Sequence, residues 1–118
     1  MPIQAAQQFE QTVKERLTRA TNESGHSFAG IYKIVEDKGA VGAAKMLIRP
    51  ANTGKINDGL KALVDRNLSH LSIEQAVIDF ANQGLFSEKE ISSARDRLAL
   101  ARMKSGKTNV SERLKKGD

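Results

Sequence analysis

The sequence predicts an all-α fold: a compact bundle of five or six short helices followed by a flexible basic C-terminal tail. Three observations carry that expectation. Apolar residues recur at steps of three and four rather than two. With no Trp, one Tyr and four Phe, the core must be built from Ala, Leu, Ile and Val, without the alternating aromatic and β-branched runs of strand-rich folds. Two serine-headed helix starts, at Ser72 and Ser87, punctuate the second half. A length of 118 residues suits one domain, read as residues 1–103 (an amphipathic helix over 1–24 and a helical core over 27–103), with the tail at 104–118.

The first helix places Ile3, Ala6, Phe9, Val13, Leu17 and Ala20 on one stripe. Pro2 suits its first turn, and Gly25 can end it with a positive φ. A second helix is expected from Ser27 to about Asp37, burying Phe28, Ile31, Tyr32 and Val35, with Gly39 closing it. The third, "AVGAAKMLIR", is short and stopped by Pro50; its Gly42 and Ala43 would let a neighbouring helix come close. "PANTGKIND" is the longest loop candidate. Asn57 or Asp58 then caps a fourth helix running to about Arg66, whose Leu60, Leu63 and Val64 face inward.

Two capping boxes follow: Ser72 with Gln75, and Ser87 with Glu90. Ala76, Val77 and Phe80 bury one side of the helix that Ser72 starts, and Gly84 is placed to end it in the left-handed conformation. Ile91, Ala94, Leu98 and Ala101 continue the stripe on the next. The expected core also includes Leu47 and Phe86. From Lys104 onward, "KSGKTNVSERLKKGD" is too polar to pack, with at most a turn of helix around Val110–Leu114.

Composition excludes several classes of chemistry. Without cysteine there are no disulfides or thiolate metal sites. No apolar run approaches a membrane span, and "MPIQAAQQFEQ" lacks the basic and apolar regions of a signal peptide, so the expectation is a cytoplasmic protein. "DFANQGLFSEKE" imitates a calcium-binding loop, but Ala81 cannot supply the oxygen needed at its third position. "GKT" at Gly106–Thr108 ends like a phosphate-binding loop, yet Ala101 stands where the first glycine belongs. Read as a helix-turn-helix, the corner at Gly84 carries bulky Phe80 where close crossing needs Ala, and Glu88 and Glu90 would face phosphates. A structural corner is the simpler reading. His26 and His70 lie in predicted loops with no third ligand. Neither a nucleophile elbow nor a spaced carboxylate pair is present, so no enzyme and no cofactor are expected.

Four stretches together, "GAVGAAKMLI" (Gly39–Ile48), "GLKAL" (Gly59–Leu63), "LSIEQAV" (Leu71–Val77) and "LFSEKEISSARDRL" (Leu85–Leu98), resemble a small helical domain of uncharacterised bacterial proteins. That family runs G-G-x-x-A-A-x-x-L-L, G-x-x-x-L, L-T-V-E-x-L-V and L-F-[ST]-x-x-E-[IL]-x-x-A-R-x-R-L. The chain departs from it at Gly42, Ile73, Ala76 and Val77. The resemblance implies a helical fold and carries no assigned chemistry.

Function must therefore come from charge. The net charge is +5. Residues 99–118 hold six basic and two acidic groups, whereas 1–98 are nearly balanced. The leading expectation is a non-catalytic module that meets DNA or RNA through phosphate contacts from Arg102, Lys104, Lys107, Arg113, Lys115 and Lys116, joined by Lys45, Arg49, Lys55 and Lys61. The alternative is a protein-binding module, an adaptor or a mobile-element-encoded inhibitor. It would use the Gln-rich first helix or an acidic face at Glu74, Glu88 and Glu90.

Overall fold

The computed structural model describes residues 4–49, 54 and 56–105. Among them are five α-helices and two 3-10 turns, with no strand: α1 (Ala5–Ser24), α2 (Ala29–Leu47), α3 (Asp58–Asp65), a 3-10 turn at Ser69–Leu71, α4 (Ile73–Asp79), a second turn at Ala81–Gln83, and α5 (Glu88–Ser105). The protein is an all-α helical bundle. α1 packs along α2, α3 and α4 pack on α5, and α1 joins the two groups through α4 and the Ser69–Leu71 turn.

The first helix builds the core as its stripe requires. Phe9, Val13, Leu17 and Ala20 are buried, and Gly25 ends the helix at φ 73° while its amide bonds the Thr21 carbonyl. Ala6 is exposed, and the core begins where Phe80 and Phe86 meet Phe9 edge-on, at ring distances of 5.3 and 5.2 Å. Ile3 and Pro2 lie outside the described residues.

The second and third expected helices follow one another without a loop. Gly39, at φ 78° and ψ 164°, kinks α2 between them in a conformation open essentially to glycine alone. The Ala40 amide that opens the second half is met from α1, by Glu10 Oε1 at 3.3 Å. Gly42 does not serve a neighbouring helix: a Cβ there would meet Lys38 Cβ of its own helix at 3.1 Å. Ala43, the other small residue expected to pack closely, is buried, as are Ala40 and Ala44, and a Cβ at Gly59 would stand 2.9 Å from Phe28 Cε1. Pro50, the expected stop, lies outside the described residues.

Asn57 caps α3, its side chain accepting from the Leu60 amide at 2.7 Å. Ser72 accepts from Gln75 N at 3.0 Å, but the return bond of the predicted box is replaced: Gln75 Nε2 donates to Asp79 at 2.9 Å. The second box is complete. Glu90 N donates to Ser87 Oγ at 3.1 Å, and Ser87 N to Glu90 Oε1 at 2.8 Å. Gly84 is left-handed, at φ 76°, but it ends the Ala81–Gln83 turn rather than α4.

Leu60, Val64, Leu98 and Ala101 form a small second cluster between α3 and α5. Ile31, Leu47, Phe80 and Ile91, expected in the core, are only partly buried against it. α5 continues through Lys104 to Ser105, past the expected start of the tail, and a lysine suits the carbonyl end of a helix. The rest of the tail, with Val110–Leu114, lies outside the described residues.

Candidate nucleic-acid interface

The corner at Gly84 is built as a frame. Asp79, which would open a calcium loop, ends α4 and binds Arg16 of α1 at 2.8 Å. At the other side of the corner, Glu90 is held by Ser87 and by Lys45 Nζ at 3.0 Å. Burial works against Glu90's charge. The bond from the Ser87 amide and the ammonium of Lys45 together outweigh it, and the carboxyl stays below its ordinary value.

Sequence reasoning missed the feature that ties this frame together. Arg97 of α5 and Glu74 of α4 form an ion pair of 2.8 Å with side chains only 1% and 4% exposed. Glu74 opens α4, where the helix dipole favours a carboxylate. The signal was present: Ala94, Arg97, Leu98 and Ala101 follow the i, i+3, i+4, i+7 spacing of a buried face, and all four are buried. The pair also withdraws Glu74 from the acidic face considered for a protein partner. Glu74 is inside the molecule, Glu90 is engaged, and Glu88 alone of the three is exposed without such a role.

The expected basic residues fare differently from one another. Lys45 is tied to Glu90 and lies 5.4 Å from the centre of the Phe86 ring. Lys61 pairs with Asp65 at 3.2 Å along α3. Elsewhere Lys14 pairs with Glu10, Arg19 with Glu23 and Lys33 with Asp37. Much of the body's positive charge is thus neutralised locally. Arg49, just past α2, is exposed. Lys55, Lys107, Arg113, Lys115 and Lys116 lie outside the described residues.

At one end of the bundle the balance differs. Arg102, in the last turns of α5, is half-buried and donates from Nη2 to Ser69 Oγ at 3.1 Å. That bond brings the end of α5 to the Ser69–Leu71 turn, which bears His70 and begins three residues after Arg66 at the C-cap of α3. Arg66, His70 and Lys104 are exposed, while Asp65, the nearest acid in sequence, is paired with Lys61. Nothing in the sequence marks Arg66, because only the fold brings α3 onto α5.

Among the described residues, no three His, Asp or Glu side chains converge to hold a metal ion, and no helix is long and apolar enough to cross a membrane. Comparison with protein-family models, curated proteins and solved structures returned no match.

Proposed function

We propose that this chain is a non-catalytic, cytoplasmic nucleic-acid-associated module, related to the small helical bacterial domain its motifs resemble. It contacts phosphates through Arg66, Arg102 and Lys104 and through Lys107, Arg113, Lys115 and Lys116 of the C-terminal segment. The observation that supports this reading is the segregation of charge. Across much of the body, cations are matched to carboxylates within the fold, whereas the end of α5 leads into a segment with four further cations and two acids. Binding of this kind is led by the backbone and steeply salt-dependent, each phosphate contact adding about one unit to the salt slope.

The test is fluorescence anisotropy on mixed-sequence DNA and RNA at two salt concentrations, with the full chain and with Lys107, Arg113, Lys115 and Lys116 changed to Glu. Weakened binding and a flatter salt dependence in the variant are expected. Unchanged binding would remove the segment from the interface.

A further inference from the structure

Resting on the nucleic-acid reading above, we infer that the partner is double-stranded and is gripped along its phosphates without base stacking. Proteins that hold single strands lay successive bases on exposed aromatic rings and track the backbone with cations. This chain has the cations but not the rings. Its only Phe and Tyr residues are Phe9, Phe28, Tyr32, Phe80 and Phe86. Phe9, Phe28 and Phe86 are 0%, 5% and 8% exposed. Phe80 is half-buried, edge-on to Phe9. Tyr32 is half-buried on α2, its hydroxyl 3.4 Å from that of Thr18.

The two imidazoles do not change this picture. His26 is half-buried and meets Phe28 at 4.9 Å. His70 is the one ring at the basic end, and a single imidazole cannot carry a run of bases. What remains there is a set of cations, and a duplex presents the denser target, with one phosphate charge per about 1.7 Å of axis. Arg102 holds its end of α5 against Ser69, three residues after Arg66, so Arg66 and Lys104 sit on one fixed frame.

The decisive measurement is anisotropy of the full chain with duplex DNA and duplex RNA of one mixed sequence and with each constituent single strand, at low and high salt. Duplex binding several-fold tighter than single-strand binding is expected, with both weakened steeply by salt. Arg66→Gln with Lys104→Gln should reduce duplex affinity and its salt slope. Tyr32→Ala and His70→Ala should alter neither probe, with circular dichroism confirming that each variant is folded. Equal or tighter single-strand binding, or its selective loss in Tyr32→Ala or His70→Ala, would overturn this inference while leaving nucleic-acid binding in place. No binding to any probe would overturn both.

Discussion

Arg97 Nε lies 2.8 Å from Glu74 Oε2, and both side chains are almost wholly withdrawn from water. A buried charge that loses its partner is far costlier than the pair itself.

Glu74→Ala and Arg97→Ala should therefore each destabilise the protein by about 3–5 kcal/mol. Replacing both at once with apolar residues of similar volume should recover most of that loss. Urea unfolding of the three variants checks this; additive losses in the double variant would mean that the two charges do not depend on each other.

The core makes a graded prediction. Phe9→Ala, at a fully buried ring between two others, and Leu98→Ala, in the cluster under α3, should cost about 2–5 kcal/mol each. Phe80→Ala should cost less than Phe9→Ala because its ring is only half-buried. Thermal and urea midpoints would show this order.

Gly39→Ala places a β-carbon on a residue at φ 78° and ψ 164°. The nearest atom, Glu10 Oε1, would be 3.6 Å away, so the penalty is conformational rather than steric, on the order of 1–3 kcal/mol. Gly59→Ala tests the opposite case, an ordinary backbone with a β-carbon 2.9 Å from Phe28. A crystal structure of that variant should show the Phe28 ring displaced.

Ser87→Ala should lower stability by about 1 kcal/mol, and a double-mutant cycle with Glu90→Ala should reveal coupling, since each residue caps the other's amide. Acid should probe the same bond. Glu90 is lowered from its ordinary 4.5 despite burial, by the Ser87 amide and Lys45; Glu10 is lowered by the Lys14 ammonium and then by the Ala40 amide. Groups with depressed folded values contribute stability that is full above 4.5 and is lost as pH falls through the folded value. Urea midpoints measured from neutral pH downward should fall in that range. The fall should be smaller in Glu10→Gln and in Glu90→Gln.

Much of this fold was legible because its signals are local. Asn57, Ser72 and Ser87 cap through their own side chains, and Gly25, Gly39 and Gly84 take the positive φ that only a break in helix needs. Where the reading missed, the cause was tertiary. Glu74 and Arg97 look like surface residues until α4 is laid on α5, and nothing near Ala40 announces that its amide is capped from thirty residues upstream. The candidate interface divided in the same way. The basic end of the chain is plain in the sequence, whereas the pairing of Lys45 with Glu90 is seen only once the fold brings α2 to α5.

The bond from the Ala40 amide to Glu10 has a consequence for how the molecule opens. The leading amide of α2's second half is capped by α1, so that half cannot hold its first turn once α1 lifts away. Its earliest amides should exchange with solvent deuterium at the rate set by separation of α1 from α2, rather than by fraying of α2 itself. Glu10→Gln should accelerate that exchange at Ala40 and its next neighbours while leaving the amides of α5 at their former pace.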